Sequence, residues 1–398
     1  MRRAALVIAF VAVLLLVVVG GHAYLTDKLA VAPDLPPGLR GLLVLIIGGG
    51  ALALMMQPLA ERAAPPRVAR LIAWPASLWM GTAFFLLLGF LATDLVRALV
   101  DAAFAATSEA GGVTPAAARI GTARLQAVLV VGLAFSAVAR GIYEQRGGPR
   151  VTRHEVRLAR WPRALDGFRI VQISDIHIGP ILDRRFAAAV TAQVNALAPD
   201  LIAITGDLVD GDARRLRAEV APFGELRAPH GVWVVTGNHD YFSGVDAWVA
   251  NVRRLGIRPL RNQRVTIEHN GAAFDLAGVE DHHAYMVHPT EKSDVVRALA
   301  DRDPDRAVVL LAHDPLTFKT AARCGVDLQL SGHTHGGQIW PFKYLVRIST
   351  PFVAGHYRRG DAQLFVHRGT GFWGPAMRLF APAEIAEITI RSTESAAA

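Results

Sequence analysis

The sequence contains one cysteine, Cys324, in 398 residues, so no intrachain disulfide can form. A lone thiol of this kind fits a reducing compartment and a small buried hydrophobe. Charge is also sparse, at 19%, where a soluble domain carries about a quarter. Lysine is nearly missing, so the net charge of +8 and the pI near 10.1 rest on arginine. Many of those arginines flank apolar runs, and membrane flanks plus compositional bias explain the charge better than a polyanion-binding surface does. No internal repeat is present. Low-complexity sequence is confined to the Ala-rich tail at 392–398. What the chain has in excess is apolar residues, 52% with a mean hydropathy of +0.31, and they concentrate in its first third. The length allows two or three domains.

Four long apolar runs occupy roughly 4–21, 41–59, 71–93 and 122–139. Each approaches the ~20 residues a helix needs to cross the hydrocarbon of a bilayer. They predict a transmembrane region over 1–145, the fourth run being the weakest because it holds Arg124 and Gln126. Gly48, Gly49 and Gly50 predict a close helix–helix contact, and His22 an interfacial position. No run carries a central Asp, Glu, Lys or His, which argues against a transporter or proton relay.

Arginine placement orients the region. Arg2 and Arg3 precede the first run, Arg62, Arg67 and Arg70 join the second to the third, and Arg140, Arg146, Arg150, Arg153 and Arg157 follow the fourth. The positive-inside rule puts the N-terminus and everything beyond residue 140 in the cytoplasm, as in a multi-pass protein of the plasma membrane. The first run also reads as a cleavable signal peptide, and cleavage would leave the C-terminal half on the same side.

After a basic linker and entry strand at 146–167, the pattern changes. Short Val/Ile/Leu strands at 169–174, 201–205, 232–236, 264–268, 273–279, 308–312, 327–331, 364–368 and 384–390 alternate with helical stretches. The helices are expected at 183–197, near 213–227, near 245–255 and through 291–302. This alternation predicts a layered α/β domain over 168–391 with a buried sheet.

Chemistry-bearing residues follow five of these strands. They are Asp175 and His177; Asp207 and Asp210 after Gly206; Asn238, His239 and Asp240 after Gly237; His313; and His333 and His335 after Gly332. Strand C-termini are where α/β sheets collect ligands. Taken singly, each histidine reads as a satisfied core residue and GNHD as a turn; five clusters in register with five strands point instead to one site. Imidazole, carboxylate and amide oxygen without thiolate suit borderline divalent cations such as Mn²⁺, Fe²⁺ or Zn²⁺. The donors outnumber the needs of one ion, and Asp207 is suited to bridge two.

DxH, GDxxD, GNHD, a lone His and GHxH in this order resemble the calcineurin-like metallophosphoesterases, over roughly 168–390. SDIHIG, GNHDYF, GHTHGGQIW and RGTGFWGP narrow the likeness to a bacterial, membrane-linked branch similar to the YkuE and YaeI phosphohydrolases. The resemblance implies a β-sheet sandwich flanked by helices, placed after the four-helix transmembrane region. It also implies two divalent metal ions, one held by Asp175, His177, Asp207 and His335, the other by Asp207, Asn238, His313 and His333. His239 would be the catalytic acid and Asp210 the carboxylate that orients it. The expected substrate is a phosphodiester, phosphomonoester or pyrophosphate held in membrane lipid, and no nucleic-acid partner is expected.

Weaker signals surround this set. The segment 278–289, with Glu280, Asp281, His282, His283 and His288, reads as a solvated loop or a substrate-side loop. Arg368 and Arg378 are candidates to meet a phosphate. His356 and His367 are either packing or supporting residues, and Phe372-Trp373 a candidate apolar lip. A nuclease is the competing enzyme reading, opposed by the membrane runs and by the absence of a concentrated basic groove. A catalytically dead scaffold or metal sensor is the non-enzyme reading, opposed by a complete ligand set.

Overall fold

Alternating side chains along each buried strand need apolar cover on both faces, and the fold supplies it with two sheets and outer helices. The computed structural model describes residues 15–107 and 116–393. It divides into two units, Met1–Ile142 with Gly374–Ala376, and Tyr143–Trp373 with Met377–Ala398.

In the first unit, three described helices are long and apolar enough to cross a membrane: α1 (Pro37–Ala63), α2 (Pro66–Thr107) and α3 (Ala116–Arg146). Most of the run expected at 4–21 lies outside the described residues, so a fourth span is not established. Residues 15–26 are helical and end in a π-helical turn, Asp27–Val31. Asp94 ties this segment to α2 and α3, accepting from Tyr24 at 2.7 Å and Gln126 at 2.8 Å and pairing with Lys28 at 2.7 Å. His22 is buried and bonds Trp79 Nε1 at 2.9 Å, an interhelical contact where an interfacial side chain was expected. Of the three consecutive glycines, only Gly50 makes a close contact: a Cβ there would strike the Trp79 ring, while Gly48 and Gly49 face open space.

The second unit holds two six-stranded sheets. The first contains β1 (Arg150–Leu158), β2 (Phe168–Ile173), β3 (Leu201–Thr205), β4 (Val232–Val235), β5 (Arg258–Pro259) and β12 (Glu384–Ser392). The second contains β6 (Gln263–His269), β7 (Ala272–Gly278), β8 (Val308–Leu311), β9 (Leu328–Ser331), β10 (Gly355–Arg359) and β11 (Ala362–Val366). Their orders are β1-β12-β2-β3-β4-β5 and β10-β11-β9-β8-β7-β6. The C-terminal strand β12 enters the first sheet between β1 and β2, parallel to one and antiparallel to the other.

Strand alternation assigns each residue to a layer. Ile170, Ala203, Trp233 and Val235 face Leu276, Val309, Leu311 and Leu330 in the core between the sheets. Their neighbours Val171, Ile173, Ile202, Ile204 and Val234 turn outward, packing with residues of α4 (Arg184–Ala196) and α6 (Val245–Arg254). Two expected helices are shorter than the periodicity predicted. The stretch near 213–227 is a single turn, Ala213–Leu216, followed by a 3₁₀ turn, Ala221–Glu225, that contains Pro222. Proline lacks the N–H a continuing α-helix would need. The stretch through 291–302 reduces to Val295–Ala298, capped by Asp294, and the chain turns away at Asp301, whose φ is 55°.

Candidate metal centre

Strands β2, β3, β4, β8 and β9 release their chains at the same edge of the sandwich, and the next residues converge there. The loop conformations are unusual for side-chain-bearing residues. Asp175, His177, Asp207, His333 and His335 all have positive φ, between 51° and 73°. Such backbone is uncommon outside glycine and persists where surroundings over-determine it. Close approach fixes two glycines as well: a Cβ on Gly332 would collide with Ser174 Oγ and the Asp175 carboxylate, and one on Gly237 with the Asp207 carboxylate.

Three groups of potential ligands result, two of them holding the expected metal residues and the third made of His177, Asp210 and His239. In the first, His177 Nε2 lies 3.1 Å from His335 Nε2, and His335 Nε2 lies 3.4 Å from Asp175 Oδ1. In the second, His313 Nε2 lies 3.2 Å from Asp207 Oδ2 and 3.2 Å from His333 Nδ1. Asp207 reaches toward both, with Oδ2 also 3.8 Å from His177 Nε2. Each group gathers potential metal-ligand atoms within 4.8 Å of one another.

Tautomers follow from the partners. His313 Nδ1 lies 2.8 Å from the Thr205 carbonyl, which only accepts, so Nδ1 carries a proton and Nε2 is the nitrogen turned to the site. Burial opposes charging of the ring, but the adjacent Asp207 charge holds its pKa well above the usual histidine value in the metal-free chain. His177 Nδ1 lies 3.0 Å from Asp210 Oδ1, leaving its Nε2 likewise turned to the site. Burial, then the neighbouring His177 and Arg378 charges, hold the His335 pKa well below the usual histidine value. Burial and the adjacent His313 lower that of His333. Both rings are therefore neutral, as ligands must be.

The residues present fit divalent cations. Asp175 Oδ2 and Asn238 Oδ1 are buried with no hydrogen-bond partner, one in the expected ligand set of each metal. Buried oxygens without partners are costly in a folded protein, and a cation held by Asp175, His177 and His335 would satisfy the first of them. The donor chemistry of these groups, imidazole with carboxylate, is that of Mn²⁺, Fe²⁺ or Zn²⁺.

His239 stands beside the two expected metal groups, with Nδ1 2.7 Å from Asp210 Oδ1 and its backbone N–H donating to Asp207 Oδ1 at 2.9 Å. Burial opposes protonation of the ring, but the Asp207 charge and the Asp210 hydrogen bond prevail and push its pKa up to about 9. Asp210 is held well below the ordinary carboxylate range: its burial is outweighed by His177 and His239. Trp373, half exposed, sets its ring against His239 at 5.4 Å between centroids while Phe372 is buried, so of that expected pair only Trp373 is an apolar lip; the exposed Phe242 ring flanks His239 at 5.9 Å.

Asp240 is the residue of GNHD to which the sequence assigned no task. Its carboxylate accepts from the backbone N–H groups of Gly237, Asp207 and Leu208 at 2.8–3.0 Å and so pins the Asp207 loop to α5 (Asn238–Phe242). Burial and the adjacent Asp207 charge push it up to about 7 in the metal-free chain. A short carboxylate one turn into a helix after a glycine is its only sequence signal.

The outlying candidates fare differently. Arg378 is fully buried, so the expected contact with a substrate phosphate is corrected. Its guanidinium donates to the carbonyls of Gly371, His335, Arg368 and Ala381 and lies 3.3 Å from His335 Nδ1, behind the ligand ring. Nothing in the sequence separates an arginine aimed at carbonyls from one aimed at phosphate. Arg368 pairs with Glu384 at 3.1 Å beneath Gly336. His283 is half-buried, stacks on His333 at 5.9 Å and 29°, and has the buried Asp281 3.5 Å away; His282 is exposed. Glu280 is structural, accepting from Thr236 and Tyr241 at 2.7 Å each and pairing with Arg261. His367 is buried, its Nδ1 accepting from Gly369 N, and His356 lies exposed on β10.

A model of the calcineurin-like phosphoesterase family matches residues 168–337. A bovine transmembrane protein with metallophosphoesterase domain is 40% identical over 263 residues, 63% of this chain and 59% of that one. The uncharacterized metallophosphoesterase YkuE of Bacillus subtilis is 31% identical over 278 residues, 65% of this chain and 95% of that one. Among solved structures, the NAD nucleotidase of Haemophilus influenzae aligns with a TM-score of 0.38 and 15% identity, covering 52% of this chain and 45% of that one. The chain thus spans about three fifths of the bovine relative, and its likeness extends beyond the bacterial branch expected from sequence. The chain belongs to the calcineurin-like metallophosphoesterase family.

Proposed function

We propose that the protein is a membrane-bound, dinuclear metal-dependent phosphohydrolase. One observation carries this reading: two imidazole–carboxylate groups meet at Asp207, with an unpartnered oxygen, Asp175 Oδ2 or Asn238 Oδ1, belonging to each ligand set. Asp175, His177, Asp207 and His335 would hold one cation, and Asp207, Asn238, His313 and His333 the other. Bound there, the cations supply Lewis acidity toward phosphoryl oxygens and make water a nucleophile near neutral pH.

The chain's own residues handle the leaving group. Asp210 holds the Nδ1 proton of His239, so Nε2 is the nitrogen that delivers a proton to the departing alkoxide. The Asp210 hydrogen bond raises the basicity of the ring and so favours its protonated form. Trp373 narrows access of water to that ring. His283, backed by Asp281 and lying over His333, is the best-placed outer residue to meet a phosphoryl oxygen, with His282 and Arg368 farther out.

The substrate class is a phosphodiester, phosphomonoester or pyrophosphate on a lipid, since an active site in the same chain as three apolar helices gains most from a substrate held in the same bilayer. By arginine placement the catalytic half, 168–391, faces the cytoplasm at the plasma membrane. A scaffold role is disfavoured because no ligand position is vacated by substitution. The test is to purify the full chain, load it with Mn²⁺, and offer bis-p-nitrophenyl phosphate, p-nitrophenyl phosphate and a lipid pyrophosphate in parallel. Metal-dependent turnover of at least one is expected; stoichiometric metal with no turnover of any would overturn the reading.

A further inference from the structure

Directly after the GHTHGGQ loop the chain forms a short helix, α7 (Lys343–Ser349), of which no residue is buried. Its apolar side chains lie open: Tyr344 is 52% exposed, Leu345 54% and Ile348 82%. Residues three and four apart share a helix face, so these three form one stripe, and Trp340, 45% exposed, precedes it. A soluble domain gains nothing from an apolar stripe turned to water, and such patches mark contact surfaces.

Charge identifies the contact. Between Asp327 and Asp361 the sequence has no acidic residue, while Lys343, Arg347, Arg358 and Arg359 fall within that interval. Lys343 and Arg347 both lie over the Tyr344 ring, at 5.2 and 5.9 Å, so their charges flank the stripe. Aromatic and aliphatic residues on one face with basic residues beside them are the pattern of a helix lying in a bilayer interface, its cations at the headgroups. A bilayer is within reach, because only residues 147–149 separate α3 from β1, a span of at most about 14 Å.

We propose that α7 docks the catalytic unit on an anionic bilayer surface. Its place in the fold connects docking to the site. Gly337, at the end of the turn that carries His335, packs so closely on α7 that a Cβ would collide with the Lys343 backbone. Beyond that turn, the Gln338 side chain bonds both the backbone N–H and the carbonyl of Trp373, the residue against His239. Seating α7 in the headgroup layer therefore brings the metal loop and the Trp373 lip to the depth where a lipid phosphate lies. The proposal goes beyond the hydrolase reading and does not depend on it.

The test needs no turnover. In the full chain carrying Cys324→Ser, Ile348→Cys is labelled with the fluorophore NBD, as is Glu268→Cys on β6 for comparison. Each is reconstituted in 3:1 phosphatidylcholine:phosphatidylglycerol vesicles. The label at 348 should emit at shorter wavelength and be quenched several-fold more strongly by doxyl-labelled lipid than the label at 268. Equal, water-like emission at both positions would overturn the proposal. A shortened wavelength at 348 without lipid quenching would also overturn it, since protein and not lipid would then cover the face. Leu345→Glu with the 348 label retained should reduce the lipid quenching at least threefold; unchanged quenching would count equally against docking.

Discussion

His239 Nδ1 lies 2.7 Å from Asp210 Oδ1, the same oxygen that His177 Nδ1 approaches at 3.0 Å. One carboxylate oxygen thus orients both a metal-ligand candidate and the proposed acid, so its removal should be felt in two measurements.

Asp210→Asn in the metal-saturated protein should lower kcat about 10²–10³-fold with a small change in KM, the range of a mispositioned general acid. Metal titration of the same variant should show affinity weakened about 10–100-fold through His177. His239→Ala should cost more on esters with poor leaving groups than on p-nitrophenyl esters. Equal losses on both would remove His239 from the acid role.

Ligand variants should separate the two cations. Asn238→Ala should reduce bound metal from two ions per chain toward one, and Asp207→Ala should abolish ordered binding of both. Elemental analysis of the dialysed proteins, with chelator-treated wild type as the empty reference, reads the result. Two ions retained in Asp207→Ala would contradict a bridging carboxylate.

The metal-free protein should show a defined pH dependence. The folded pKa of His239, about 9, lies above its ordinary value of 6.5, so its contribution is full below pH 6.5 and lost as pH rises toward 9. Thermal unfolding of chelator-treated wild type and His239→Gln should therefore converge across that window. The difference at its low-pH end is about 1–3 kcal/mol. A gap that widens with pH would reverse the assignment.

Gly332→Ala tests the closeness of the loops. The added methyl meets Ser174 Oγ and the Asp175 carboxylate, so stability should fall by about 1–3 kcal/mol and metal occupancy with it. Full occupancy in this variant would indicate slack that the packing does not have.

Arg378→Met removes the donor to four backbone carbonyls and should cost about 2–4 kcal/mol in unfolding measurements on chelator-treated protein. Arg378→Lys should recover only part of that, since a point charge cannot reproduce the planar fork. If Arg378→Met instead raised KM alone at unchanged stability, the arginine would be a substrate residue after all.

Much of the site was legible before any fold was known. Each of Asp175, Asp207, Asn238, His313 and His333 follows the end of a short apolar strand by two or three residues. Local sequence alone ties these side chains to strand ends. The helices at 184–196 and 245–254 and most strands were legible for the same reason, since burial on one or two faces imprints a period. The turns at 213–227 and 291–302 were not, because Pro222 and the local conformation at Asp301 interrupt a periodicity that composition alone extends.

The sequence by itself determined the apolar first third, the succession of strands along the chain and the candidate ligand residues that follow their ends, all of which depend on residues close together in the chain. Tertiary structure alone decided what each polar group meets: Arg378 turned to carbonyls, Asp240 gathering three backbone amides, β12 inserted between β1 and β2, and α7 left facing outward. These are pairings between groups far apart in sequence. Their free energy depends on which surfaces are buried together, and a linear pattern does not record that.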